Sequence, residues 1–183
     1  GGSPRDPVLR ARIGLAPQSL ALYENLSGRE NIAFFARMFG LHGAHLARRV
    51  DAALDFVQLA DRQHDRAGGY SGGMQRRLNL AAAIVHEPEL ILLDEPTAGV
   101  DPESRNALFE NVLALKAAAG RTIVYTTHYM EEVERFATAS PLSIAGACSP
   151  STACPACCAR MAVRRCSWSS AAVAASASRQ RIR

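Results

Sequence analysis

The sequence predicts an α/β protein in which a parallel sheet is flanked by helices, and three observations carry that expectation. Leu90-Ile91-Leu92-Leu93 is an uninterrupted apolar run of strand length, the pattern of a strand buried on both faces. Arg12 to Ala16 and Thr122 to Thr126 read as further short strands, the latter also as a buried one. Between the three lie segments whose apolar residues recur at helical spacing, so strands alternate with helices.

In chain order, residues 1 to 7 are turn-like, and the strand at Arg12 to Ala16 is stopped by Pro17 with Gln18 just beyond its end. A glutamine after a proline is ordinarily a loop residue without a role. Ser27-Gly28-Arg29-Glu30 fits a capping box ahead of a helix over NIAFFARMF, which Gly40 ends. Phe34, Phe35 and Phe39 fall at helical spacing, for which the ordinary reading is core. Ala44 to Leu59 predicts a second amphipathic helix, with Leu46, Val50, Ala53, Leu54 and Val57 on one side and Arg48, Arg49, Asp51 and Asp55 mostly off it.

Ser71, Gly72 and Gly73 then lead into a helix starting near Gly73, with Met74, Leu78, Ala81, Ala82 and Val85 as its stripe and Arg76, Arg77 and Asn79 off it. Its open N–H groups and positive dipole end suit an approaching anion, although an ordinary glycine-capped helix reads the same way. His86-Glu87-Pro88 breaks the helix. Asp94 and Glu95 stand at the carboxyl end of the next strand, the edge where open α/β sheets bind ligands. Neighbouring strand residues point to opposite sides, so one carboxylate could face a magnesium ion and the other an attacking water; the bland alternative is a solvated loop start. Asp101-Pro102-Glu103 opens a helix with a cap, a proline at its first position and an acid in its first turn. Leu108, Val112 and Leu115 mark its buried face and Gly120 closes it. His128 follows the strand at Thr122 to Thr126, in the layer of Asp94 and Glu95 if the strands are parallel. A single histidine there is usually structural, and HYMEE lacks the second histidine of a zinc motif.

A chain of 183 residues allows one domain, and its net charge of +4 misleads. From residue 136 onward there are six arginines and no acid, which leaves 15 basic against 17 acidic residues in 1 to 135. That mildly acidic body argues against a nucleic-acid partner. No apolar run approaches the ~20 residues that span a bilayer, and no signal-peptide pattern opens the chain. All five cysteines lie at or beyond Cys148, so the body has no disulfide framework and suits a reducing compartment.

Tyr70-Ser71-Gly72-Gly73-Met74-Gln75, Ile91-Leu92-Leu93-Asp94-Glu95-Pro96-Thr97 and Ala98-Gly99-Val100-Asp101-Pro102, in this order and spacing, resemble the signature motif, Walker B strand and D-loop of ABC transporter ATPases. Tyr70 stands where leucine is commonest and Met74 where glutamine is. IGLAPQ resembles the family's Q-loop and TTHYMEEVE its H-loop. The resemblance implies an incomplete P-loop NTPase fold with a helical subdomain at about 19 to 85. It also implies ATP and Mg2+ as ligands, and two subunits that sandwich ATP head to tail. Ser71, Gly72, Gly73 and Gln75 would contact the γ-phosphate held by the opposite subunit, and Asp101 would link the two sites. Asp94 and Gln18 would serve the magnesium ion, Gln18 would also touch the attacking water, Glu95 would be the general base, and His128 would steady the γ-phosphate. A transmembrane permease subunit would dock on the helical subdomain, with Leu20 to Leu26 and the three phenylalanines as candidate contacts, and would hold the ATPase on the inner face of the cell membrane. PQSLALYENLSGRENIAFF and YSGGMQRR look exporter-like. A soluble ABC ATPase of DNA repair or translation, or a non-catalytic remnant, are the competing readings.

The family's phosphate loop, G-x-x-x-x-G-K-[ST], does not occur in these residues, whose one lysine, Lys116, lies in LALKAAA. Residues 1 to 135 are therefore expected to be a partial ATPase domain, truncated ahead of Gly1 and inactive alone. Beyond Arg135 the resemblance stops. GC-rich codons for residues 136 to 162, read in a shifted frame, can encode a segment resembling the family's continuation, so a frameshift and a disordered, non-native tail over 136 to 183 are expected. Cys154-Pro155-Ala156-Cys157 is a C-x-x-C pair without a second pair, a weak metal signal.

Overall fold

The computed structural model describes residues 6–117 and 121–138. Strands β1 (Ile13–Ala16), β2 (Leu90–Asp94) and β3 (Thr122–Thr126) form a parallel sheet in the order β1-β2-β3. Ala16 pairs with Leu93, Leu93 with Tyr125, and Asp94 with Thr126. The three carboxyl ends therefore share one edge of the sheet. Gln18, Glu95 and His128 each follow a strand there.

Helix α1 (Pro7–Arg10) is a single helical turn that begins where the turn-like residues 1 to 7 end; Asp6 caps it and Pro7 supplies its first position. Helix α2 (Gly28–Met38) starts at the expected capping box. The Ser27 hydroxyl accepts from the Glu30 N–H at 3.2 Å, and the Glu30 carboxylate accepts from the Ser27 N–H at 2.8 Å. It stops because Gly40 adopts φ +80°, which lets the Leu41 N–H reach the Ala36 carbonyl and the Gly40 N–H reach Arg37. Helices α3 (Gly43–Phe56) and α4 (Gly72–Ile84) complete a three-helix cluster with α2. Its core is Ile32, Ala36, Val50, Leu54, Val57, Leu78 and Ala81, all 1% exposed or less. Each large side chain so buried contributes roughly 1.5–3 kcal/mol. Arg49 on α3 fastens the end of α4 by donating to the Val85 carbonyl and pairing with Glu87 at 2.9 Å.

The expected stripe on α4 is a correction. Every residue from Leu78 to Val85 is buried, Asn79 included at 5% exposure. A helix with apolar cover on all sides is a central one, and α4 meets α2, α3, β1 and α5. Its approach to β1 is possible because position 14 is glycine: a Cβ there would overlap the Ala83 carbonyl oxygen and lie 2.8 Å from Pro88 Cγ.

The burial expected of the strands at Leu90–Leu93 and Thr122–Thr126 is also corrected. Ile91 and Leu93 are buried, whereas Leu90 and Leu92 are half-buried, Leu15 is 56% exposed and Val124 47%. Leu15, Leu92 and Val124 are register partners, so this is one row on one face of the sheet. The other face receives α4 and, through Phe109 packed edge-on against Tyr125, helix α5 (Pro102–Ala117). Leu108, Val112 and Leu115 are buried on α5 as expected. The chain divides into two compact units, Gly1–His128 and Tyr129–Arg183. Helix α6 (Met130–Thr138), which the sequence reading did not anticipate, belongs to the second. Gly120, the cysteines and the expected disordered tail lie outside the described residues, apart from residues 136 to 138 in α6.

His86 supplies a pH signature of this fold. Its ring stacks on Phe39 at 3.6 Å, with Nε2 3.2 Å from the Ile13 carbonyl oxygen. Burial holds its pKa below the usual 6.5, against the pull of the Ile13 carbonyl and with help from the Arg49 charge. The unfolded chain takes up this proton at about pH 6.5 and the folded chain only at lower pH. The stabilisation is therefore complete above about pH 6.5 and is lost as pH falls below it. Glu30, Glu89 and Asp101, whose pKa values are lowered by hydrogen bonds to Ser27, Arg12 and Ser104, add their losses only in the more acidic carboxylate range. Urea midpoints are expected to be level from pH 7 to 8 and to drop as pH falls below about 6.5. His86→Asn should flatten that drop, and an unchanged slope in the variant would contradict the assignment.

Candidate functional site

The carboxyl edge of the sheet gathers a compact polar group. Gln18 Nε2 donates to Glu95 Oε2 at 2.8 Å, and His128 Nδ1 lies 3.3 Å from Glu95 Oε1. Asp94 Oδ1 accepts from the Thr126 hydroxyl at 2.7 Å. Four sequence-predicted residues, Gln18, Asp94, Glu95 and His128, are thus assembled by the ends of three strands. Their separation into two directions has a different cause from the one expected. Glu95 lies outside β2, with φ +43°, so a left-handed turn rather than strand alternation parts the two carboxylates. Such a conformation costs a non-glycine residue roughly 1–3 kcal/mol and concentrates at functional sites. Thr126 holds it: the Glu95 N–H donates to the Thr126 hydroxyl at 3.0 Å and the Thr126 carbonyl at 3.2 Å. Thr126 was missed in the sequence, although the parallel register that pairs it with Asp94 is the signal that locates it.

The donor set fits a hard cation. Gln18 spends its amide N–H on Glu95, which turns Oε1 away, and Asp94 keeps Oδ2 beyond its bond to Thr126. Two oxygen donors suit Mg2+, which binds through one or two protein ligands together with phosphate oxygens and water. No group of three or more His, Cys, Asp or Glu side chains able to hold a metal alone occurs among the described residues.

Ser71, Gly72 and Gly73 sit at the start of α4. The Ser71 hydroxyl caps the helix by accepting from the Met74 N–H at 3.2 Å, and a Cβ at Gly72 would meet open space. Gly73 lies against Ser104 so closely that a Cβ would overlap it, which seats this turn beside the start of α5. Asp101 caps α5 through the Ser104 N–H at 2.9 Å, and that bond lowers its pKa. Gln75 turns back along its own chain, its Nε2 donating to the Ala67 carbonyl at 3.2 Å. The signature turn and the acidic group are joined through α4: Arg76 donates to the Gln18 carbonyl and, at 3.2 Å, to that of Ala98. Phe34 and Phe35 are half-buried, Tyr23 packs edge-on against Phe34 at 4.8 Å, and Phe39 is 36% exposed.

The sequence model of the family described as ABC transporter matches residues 3–98. Similar proteins include the linearmycin resistance ATP-binding protein of Bacillus subtilis, 46% identical over 125 residues, which are 68% of this chain and 40% of that protein. The Nod factor export ATP-binding protein I of Cupriavidus pinatubonensis is 44% identical over 131 residues, 72% of this chain and 40% of its own. The daunorubicin resistance ATP-binding protein of Streptomyces coeruleorubidus is 44% identical over 135 residues, 74% and 41% respectively. The chain spans about 40% of the length of these relatives.

Proposed function

The chain belongs to the ABC transporter family, and from that premise we propose that it contributes the catalytic carboxylate and the signature turn of an ATP-hydrolysing subunit that drives export. The observation that carries this reading is Glu95, held between Gln18 and His128 at the carboxyl ends of three parallel strands, beside Asp94 on Thr126. Glu95 orients an attacking water and takes its proton, Gln18 holds the Glu95 carboxylate in place, and His128 offers a donor to the γ-phosphate. Asp94 and the side-chain oxygen Oε1 of Gln18 would hold Mg2+, which would supply neutralisation of the charge on the phosphates. Ser71, Gly72 and Gly73 present backbone N–H groups at a helix N-terminus to the γ-phosphate on a second ATPase subunit, with Asp101 beside them as the link between sites. Gln75, turned to Ala67, contributes by bracing that turn.

The names of the relatives, linearmycin resistance, Nod factor export and daunorubicin resistance, support small-molecule export as the work powered. A permease docks on the surface formed by Leu20, Tyr23, Phe34, Phe35, Met38 and Phe39, where Tyr23 is 49% and Met38 68% exposed. That partner holds the subunit at the inner face of the membrane; no described helix is long and apolar enough to cross one.

Residues 1 to 183 alone should not turn over ATP. Without phosphate-loop amides and lysine, ATP forgoes several charge-assisted hydrogen bonds of ~1.5–3 kcal/mol each, against about −8 kcal/mol for micromolar binding. Steady-state phosphate release from the purified chain checks this, and a magnesium-dependent rate removed by Glu95→Gln would contradict it. Addition of a separate chain that carries G-x-x-x-x-G-K-[ST] is expected to restore hydrolysis; persistent silence of the mixture would count against this site as the catalytic half.

A further inference from the structure

Helix α4 carries two polar side chains with no place on its apolar surround. Arg76 and Asn79 are three residues apart and so share one helix face. Both reach the segment that follows β1. Asn79 Nδ2 donates to the Pro17 carbonyl at 3.2 Å and its Oδ1 accepts from the Ala21 N–H at 3.4 Å. Arg76 donates to the carbonyl of Gln18 itself, between those two points, and its other terminal nitrogen holds the Ala98 carbonyl after β2. Asn79 is 5% exposed and Arg76 half-buried, where desolvation lowers the guanidinium pKa and the Glu95 charge opposes that drop.

We infer that Arg76 and Asn79 are positioning residues that clamp residues 17–21 onto α4 and so set the Gln18 carboxamide against Glu95. The inference rests on the proposed role of the Gln18 and Glu95 pair. The clamp fixes backbone on both sides of Gln18, leaving its side chain only a short reach to Glu95. Because the same guanidinium holds the Ala98 carbonyl, a displacement of residues 17–21 is passed to the turn at Gly99, whose φ is +71°. The guanidinium reaches the two carbonyls with two separate terminal nitrogens held in a planar fork, a spread that a lysine ammonium, with its three donors on one nitrogen, does not reproduce.

The test reads the Gln18 side-chain amide resonances by NMR in the full chain, with no nucleotide. In the parent, Glu95→Gln is expected to displace them. In Arg76→Ala, where the carboxamide is no longer held at residue 95, the further change Glu95→Gln should displace them much less, while the urea midpoint stays near that of the parent. Arg76→Lys should behave as Arg76→Ala. Asn79→Ala should give the same loss of response, and because Asn79 is buried the half-exposed Arg76 decides if that variant does not fold. An undiminished Gln18 response in Arg76→Ala, or its full return in Arg76→Lys, overturns the inference. Hydrolysis unaffected by Glu95→Gln would instead overturn the proposed function, and leave the clamp as a structural result.

Discussion

Glu95→Gln, in the chain completed by a phosphate-loop partner, should lower ATP turnover by about 10²- to 10⁴-fold, the range supplied by a positioned general base. Glutamine keeps the length of the side chain and an acceptor for Gln18 Nε2, so the 2.8 Å bond that fixes the group can survive. What it removes is the ability to take a proton from water, together with the charge that faces His128 at 3.3 Å. On the proposed reading magnesium ATP is bound by Asp94, Gln18 Oε1 and the partner's loop, none of which is altered, so KM should move only a few-fold. Single-turnover hydrolysis alongside steady-state kinetics separates the chemical step from product release. A variant that keeps half the parental rate would show that Glu95 is a neighbour of the reaction and not its base, and would turn attention to the exposed His128 and Asp94.

Much of this site was legible because its residues are read one strand end at a time. The apolar run at Leu90 to Leu93 announced its own end, and the acids there needed only a parallel sheet to become neighbours of Gln18 and His128. The capping box at Ser27 and the N-cap at Asp101 were equally local, and both are present as hydrogen bonds. What could not be read was long-range. Asn79 sits 62 positions from the carbonyl it holds, and its polarity set it with Arg76 and Arg77 off the apolar stripe. A polar side chain is free to be buried where backbone groups are waiting to be satisfied, and sequence periodicity carries no record of those groups. The incomplete burial of Leu92 and Val124 was misread for the converse reason: apolar character tells which residues favour burial, whereas exposure depends on what else is packed against the sheet.

Gly14→Ala is expected to cost about 2 kcal/mol or more, a large share of the 5–15 kcal/mol that holds a domain together. In most strands the change would be mildly favourable, since glycine forfeits roughly 0.5–1 kcal/mol of backbone entropy. Here the added Cβ would meet the Ala83 carbonyl oxygen and the Pro88 ring. Neither is the end of a flexible side chain; one is helix backbone and the other a ring at the entry to β2. Overpacking of this kind usually costs 1–3 kcal/mol, and with rigid neighbours the upper part of that range outweighs the entropic gain. With a urea m-value of ~1–3 kcal/mol/M, the midpoint should fall by about 1 M. Gly69→Ala provides the contrast, because a Cβ there meets nothing within 4 Å and its φ is not positive; stability should be unchanged or slightly raised. The damage in Gly14→Ala should also be directional. A helix pushed off β1 at Ala83 carries Arg76 and Asn79 with it, so the Gln18 resonances should lose their response to Glu95→Gln in the molecules that remain folded. A Gly14→Ala variant as stable as the parent would mean that α4 does not rest on β1 as described, and the clamp on residues 17–21 would lose its footing.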